Sequence, residues 1–268
     1  MRKNHCLLVF FSALWACLTF YLPTRTAKAY VPNTLEGKAE CVMELETGQV
    51  LHEKSVNLAL PMASTTKILT AITVLEDCKD LEQEIVIPQA AVGVEGSSVY
   101  LECGEKYTIL DLLYGLMLRS GNDCALALAL YFGGTISDFC VKMNLLAQKA
   151  GALNSHFENP HGLPAKNHYT TALDLCYITR YAMKNEIFTR IVSTKFYEPR
   201  RWKNKNKLLA SYEGAIGVKT GYTREAGRCL VSAAKRGDKM IICTVLNCAP
   251  MYERSAELLD KAFALSNK

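Results

Sequence analysis

No C-x-x-C pair and no H-E-x-x-H run occurs in this chain of 268 residues, and His52, His156, His161 and His168 show no helical i, i+4 pairing. The expectation is therefore no metal and no cofactor. Of eleven cysteines, Cys6 and Cys17 fall in the N-terminal segment, leaving nine, an odd number without regular spacing. A disulfide framework that uses them all is excluded. Several, such as Cys124, Cys140 and Cys176, lie on apolar faces of predicted helices, where cysteine packs as a small hydrophobe. Fixed-period repeats and low-complexity linkers are also missing, so residues 30 to 268 read as one large domain or two lobes around a real core.

A surplus of one charge sign is missing too. The formal net charge of +5 comes mostly from Arg2, Lys3, Arg25 and Lys28, in a stretch with no acid; beyond it 27 basic residues face 26 acids. A net charge of +1 makes no case for nucleic acid. That stretch reads as an address: two basic residues, a low-charge run from Cys6 to Leu22, then Ala27-Lys28-Ala29, a small-x-small cleavage signature. Residues 1–29 are expected to be a signal peptide, with an uncleaved N-terminal anchor as the alternative because the run is almost long enough to span a bilayer. No second long apolar run follows, so the rest is expected to be exported, either free or tethered at its start.

Glu40 to Leu45 and Val50 to Glu53 alternate apolar and polar residues around Glu46-Thr47-Gly48, which predicts a hairpin. A mostly buried helix is predicted from Thr65 to Cys78, then short strands at Ile85 to Ile87 and Val99 to Leu101. Helices are predicted over Ile109 to Leu118, Asp123 to Phe132, Ile136 to Ala150 and Ala172 to Asn185. Strands return at Ile216 to Lys219, Cys229 to Ala234 and Met240 to Leu246, with a turn at Arg236-Gly237-Asp238, and a last helix runs from Tyr252 to Leu265. Strands at both ends with helices between them predict an α+β fold, an antiparallel sheet carrying a helical insertion. The sheet lobe takes about 30–78 and 205–268, the helical lobe about 79–204, and a substrate cleft is expected between them.

Ser64 and Lys67 open the helix at Thr65 with i, i+3 spacing, which lets a hydroxyl and an amine meet on one face. A serine touching a lysine is a nucleophile with its own base; the plain reading of Ser64 is a helix cap. Ser232-Ala233-Ala234-Lys235 has the same spacing but lies in a predicted strand, where i and i+3 point to opposite faces. Ser120-Gly121-Asn122 stands between helices and Lys219-Thr220-Gly221 ends a strand. Each is ordinary alone, as the second S-x-N at Ser55-Val56-Asn57 shows.

Their order is not ordinary: S-x-x-K opening a helix, S-x-N in a loop and K-T-G on a strand is the combined signature of penicillin-binding proteins and class A β-lactamases. With Pro61-Met62-Ala63 before Ser64, Gly115-Leu116-Met117-Leu118-Arg119 before Ser120, Asn159-Pro160-His161-Gly162-Leu163, Asn206-Lys207-Leu208-Leu209 and Gly217-Val218 before Lys219, the chain resembles the low-molecular-mass serine D-alanyl-D-alanine carboxypeptidases over nearly all of residues 36 to 265. The resemblance implies a β-lactamase/transpeptidase-like fold. It also implies an acyl-enzyme on Ser64, Lys67 as a neutral base helped by the charge of Lys219, and Ser120 as the proton carrier to the leaving amine. Asn122 would bind the substrate amide, Lys219 and Thr220 its terminal carboxylate, and the backbone N–H groups of Ser64 and Tyr222 the oxyanion, with Gly221 permitting close approach.

Arg119 and His161 are expected to be structural. The implied partners are the peptidoglycan stem peptide ending in D-Ala-D-Ala and β-lactams that imitate it, and the implied place of action is extracytoplasmic. A D,D-endopeptidase would use the same residues. A β-lactamase would need a deacylating glutamate, for which only Glu158 is placed and without E-x-x-x-N spacing; a non-catalytic relative would be free to lose residues that are intact here. Two departures stand out: Cys124 occupies a usual alanine position, and the chain stops after one helix, without the family's frequent β-rich second domain and basic amphipathic tail.

Overall fold

The computed structural model describes residues 36–266; the predicted leader lies outside the described residues. Strands β1 (Ala39–Glu44) and β2 (Val50–Lys54) form the expected hairpin. A 3-10 turn at Ala63–Thr66 leads into α1 (Lys67–Asp77), in which nine residues from Lys67 to Leu75 are buried. The insertion contains β3 (Glu84–Val86) paired with β4 (Lys106–Thr108), α2 (Ile109–Tyr114), a π turn at Gly115–Arg119, α3 (Asn122–Gly133) and α4 (Ile136–Lys149). It continues through α5 (Ala172–Ala182), α6 (Glu186–Ser193), the small hairpin β5 (Phe196–Tyr197) and β6 (Trp202–Lys203), and the single turn α7 (Leu208–Ser211). The chain then returns through β7 (Ala215–Thr223), β8 (Gly227–Arg236) and β9 (Lys239–Leu246) to α8 (Met251–Ser266).

The main sheet is antiparallel in the order β2-β1-β9-β8-β7. Its central strands are buried on both faces. Cys41 and Met43 of β1 and Val231 and Ala233 of β8 pack into the core shared with α1 and α5. Their neighbours Val42, Leu230 and Ala234 pack on the other face against Leu258, Leu259 and Phe263 of α8. Period-2 alternation thus divides two apolar cores rather than core from solvent, which is why these strands read as nearly unbroken apolar runs. At the far end β7 has no strand beyond it among the described residues, and its Thr220, Gly221 and Tyr222 line a cleft.

Three helices of the insertion begin with a threonine whose hydroxyl accepts the N–H three residues on: Thr108 from Asp111, Thr135 from Asp138 and Thr171 from Asp174, each at 3.0 Å. The aspartate in each first turn adds a favourable charge at the positive helix end. Asn185 caps α6 in the same manner, so the helix predicted to run to Asn185 ends at Ala182 and a second helix follows. The predicted Ile109 to Leu118 helix loosens into the π turn at Gly115, where a Cβ would stand 2.6 Å from the sulfur of Cys124. Val99 to Leu101 is not a strand: the N–H groups of Val99 and Leu101 both donate to the Asp123 carboxylate, at 2.9 and 3.2 Å, which bends the segment into a loop. Among the described residues no single helix is long and apolar enough to cross a membrane.

Candidate active site

Ser64 lies inside the 3-10 turn and caps nothing; no side chain caps α1, and the neighbouring hydroxyls bond the turn instead. Thr65 Oγ1 donates to the Met62 carbonyl at 2.7 Å and Thr66 Oγ1 to the Ala63 carbonyl at 2.9 Å. The Glu158 N–H donates to His168 Nδ1, so the proton sits on Nε2, which donates to Thr66 Oγ1 at 2.9 Å. Burial holds His168 neutral, with its pKa pushed down to about 4. Ala63 has φ +50°, and the turn is pressed by Gly162, whose missing Cβ would fall 2.0 Å from the Ala63 carbonyl oxygen. Only glycine fits at that φ of +92° and that distance.

Lys67, the first residue of α1, is completely buried. Its Nζ stands 3.0 Å from Ser64 Oγ, 2.7 Å from Asn122 Oδ1 and 2.6 Å from the His161 carbonyl. Burial first, and the charge of Lys219 second, push its pKa well below the ordinary lysine value. A neutral amine carries two N–H donors and one lone pair. In that form the two carbonyl oxygens would take both donors and the lone pair would face the Ser64 hydroxyl.

His161 contributes its backbone, as expected of a structural residue; its ring, driven down to about 3 by burial, accepts the Leu163 N–H through Nδ1. Asn159 closes this loop by accepting from Gly162 N–H at 2.7 Å and donating to the Leu163 carbonyl at 2.9 Å. Asn122 has its side-chain oxygen on Lys67, while Nδ2 donates to the Glu95 carbonyl at 2.6 Å. It thus holds the Lys67 amine, and its second Nδ2 hydrogen has no partner among the described residues. Ser120 sits in the left-handed region (φ 65°, ψ 32°) where the π turn breaks into α3, and its hydroxyl faces the cleft without a hydrogen-bond partner among the described residues.

The third wall is the edge strand. Gly221 of β7 lies so close to the serine turn that a Cβ would be 3.0 Å from both the Ser64 nitrogen and the Met62 carbonyl oxygen. Lys219 is buried, donates to the Thr220 carbonyl at 2.9 Å, and is lowered to about 7 by burial and then by Lys205. Ser64, Ser120, Thr220, Gly221 and Tyr222 line one cleft together with residues not singled out in the sequence: Ser97, Lys205, Arg228, Met251 and Tyr252. Lys205 approaches Ser97 Oγ at 3.3 Å. Its only signal was proximity to Asn206-Lys207-Leu208-Leu209, and Arg228 carried none until β8 paired it with Tyr222.

All eight sequence candidates are thus gathered around one cleft. The decoys are not: Ser232 is buried in β8 and donates to the Cys243 carbonyl, while Lys235 is exposed. Glu158 is engaged by Asn167 through the latter's N–H and side-chain amide, at 3.0 and 3.1 Å. Arg119 donates to the Lys203 carbonyl. No cluster of three His, Cys, Asp or Glu side chains able to hold a metal occurs among the described residues.

Comparison with known proteins meets this geometry. The profile of the D-alanyl-D-alanine carboxypeptidase family, peptidase S11, matches residues 25–249. The D-alanyl-D-alanine carboxypeptidase of Streptomyces sp. strain K15 is 36% identical, covering 99% of both chains, and DacB2 of Mycobacterium tuberculosis is 38% identical over 84% of this chain and 81% of its own. DacF of Bacillus subtilis is 34% identical over 85% of this chain, which spans 62% of DacF. Among solved structures, the Streptomyces K15 DD-transpeptidase superposes with a TM-score of 0.80 at 37% identity, over 86% of this chain and 98% of that one. DacD of Francisella tularensis gives 0.79 at 29% identity, over 86% and 71%.

Proposed function

The chain belongs to the D-alanyl-D-alanine carboxypeptidase family of serine peptidases, and we propose that it removes the terminal D-alanine from peptidoglycan stem pentapeptides through an acyl-enzyme on Ser64. It is a hydrolase with the β-lactamase/transpeptidase-like fold, and residues 30–268 act as its catalytic domain. The observation that carries the reading is the Lys67 amine, buried, with its pKa pushed well below the ordinary lysine value, 3.0 Å from Ser64 Oγ and also bonded to two carbonyl oxygens.

Lys67 takes the Ser64 proton as Oγ attacks the carbonyl between the two D-alanines. The oxyanion is held by the N–H groups of Ser64 and Tyr222, which the close packing of Gly221 supports; such a donor is worth about 3 to 4 kcal/mol. Lys219 and Thr220 bind the terminal carboxylate. Arrival of that anion favours the charged form of Lys219, which in turn presses Lys67 toward neutrality, so substrate binding arms the base. Ser120, with its hydroxyl free, passes the proton to the leaving amine, and the remaining Asn122 hydrogen meets the substrate amide. Glu158, taken up by Asn167, does not serve as a deacylating base, which supports a peptidase that β-lactams acylate over a β-lactamase.

Peptidoglycan as substrate places the action outside the cytoplasm. The test is D-alanine release from a peptide ending in D-Ala-D-Ala, with intact mass measured before and after penicillin. Ser64→Ala is expected to abolish both release and the penicilloyl mass. Wild-type protein with neither would sink the reading.

A further inference from the structure

Arg228 is the cross-strand partner of Tyr222, and its guanidinium lies 5.7 Å over the tyrosine ring. Both side chains are exposed, both line the cleft that holds Ser64, and Tyr252 of α8 lines it beside them. Three arginines of the fold are engaged by carboxylates: Arg200 by Asp111, Arg236 by Asp260, and Arg254 by Glu40. Among the described residues the Arg228 guanidinium has the tyrosine face and no hydrogen-bond or carboxylate partner, so five donors in a rigid fork are presented to the cleft unpaired.

Which part of a substrate reaches them follows from the strand, on the premise of the carboxypeptidase reading above. A peptide laid along the edge strand β7 advances about 3.3 Å per residue. With its terminal carboxylate at Lys219 and Thr220 and the scissile carbonyl between Ser64 and Tyr222, the residue before the D-alanine pair lies at Tyr222 and Thr223. Its side chain, if it faces the cleft, meets the ring of Tyr222 and the fork of Arg228. We propose that Arg228, seated on Tyr222, is a specificity determinant that binds a carboxylate carried by the side chain of the residue preceding the D-alanine pair. The apolar stem of that side chain lies on the tyrosine ring and its carboxylate pairs with the guanidinium. The substrate class is a stem peptide with a carboxylated diamino acid, of the diaminopimelate type, in preference to one with lysine.

The test uses two peptides that differ by one carboxylate: diacetyl-lysyl-D-Ala-D-Ala and its counterpart with diacetyl-meso-diaminopimelate in place of lysine. D-alanine release gives kcat/KM for each. The wild type is expected to favour the carboxylated peptide about tenfold, the lower range for a charge-assisted pair. Arg228→Gln is expected to bring that ratio close to one and Arg228→Lys to keep part of it, while the rate of penicillin acylation reports that the fold is intact. Equal rates in the wild type, or an equal drop for both peptides in Arg228→Gln, would overturn the assignment alone. Absence of release from either peptide by the wild type would overturn the carboxypeptidase reading, and this inference with it.

Discussion

Two of the places where the protein buries charge-bearing groups treat them in opposite ways. In the cleft Lys67 and Lys219 are gathered with Lys205 and no carboxylate among their bonding partners, so burial and like charge push both amines below the ordinary lysine range. Across the sheet, Glu40 of β1 is equally buried but meets Arg254 of α8 through two bonds of 2.9 and 2.7 Å, the Gly37 N–H at 2.6 Å and His52 at 3.1 Å. Burial alone would raise its pKa; Arg254, Gly37 and His52 outweigh it and hold the carboxylate below its ordinary range. Like charges without counterions yield a reactive amine, whereas opposite charges with every lone pair used yield an inert clamp between the first strand and the last helix.

The difference is sharpest in what each site loses to a single substitution. Lys67→Met is expected to lower the rate of penicilloyl-enzyme formation by about 10³- to 10⁴-fold, the scale of a lost general base. Its stability should move by no more than about 2 kcal/mol, because two carbonyls lose a donor while a buried amine is removed. Mass spectrometry over time and a thermal melt read the two quantities; a large loss of stability with retained acylation would erase the contrast.

Glu40→Gln is expected to reverse the pattern, with about 3 kcal/mol or more lost from unfolding in denaturant and penicillin acylation within about twofold of wild type. The Glu40 contribution is present above the ordinary carboxylate range and is lost as pH falls through its depressed value, so the two proteins should converge in stability in acid. A strong fall in acylation would mean that α8, which carries Met251 and Tyr252 into the cleft, transmits the clamp to the site. Gly162→Ala tests the cleft's geometry instead of its charge. The new methyl must move the Ala63 carbonyl and with it Ser64, and a displacement near 1 Å is expected to cost about 10² in acylation. Unchanged acylation would show that the turn yields without disturbing the serine.

The clamp was invisible in the sequence because Glu40 and Arg254 lie 214 residues apart and neither sits in a motif. The cleft was legible because its chemistry is written in short words, S-x-x-K, S-x-N and K-T-G, whose local geometry is set by one helix start, one loop and one strand. The strands and most helices were legible for the same local reason. Lys205 and Arg228 were not, since each reaches the cleft only through tertiary pairing, one by way of Ser97 and the other by strand register. The loop after Glu95 was misread as a strand because Val99 and Leu101 have the right alternation; the carboxylate of Asp123, more than twenty residues away, overrides it. The T-x-x-D caps at Thr108, Thr135 and Thr171 were readable, and the Asn185 cap was the local signal that divides α5 from α6.

Lys205 gives the finest test of the comparison, because it contributes charge to the cleft without touching Lys67 or Lys219 through a hydrogen bond. Its charge lowers Lys219, after burial, and also lowers Lys67. On the mechanism proposed above the acylating form has Lys67 neutral and Lys219 protonated, so the second-order rate constant for penicillin acylation should rise as the first gives up its proton and fall as the second does. Lys205→Ala removes a positive neighbour from both amines. Protonation becomes easier for each, and both limbs of the profile should move to higher pH, whatever happens to the height of the maximum. A limb that moves to lower pH, or a profile that stays in place, would mean that the cleft amines are set by burial alone, and the distinction from the Glu40 clamp would then rest on solvation rather than on the company of like charges.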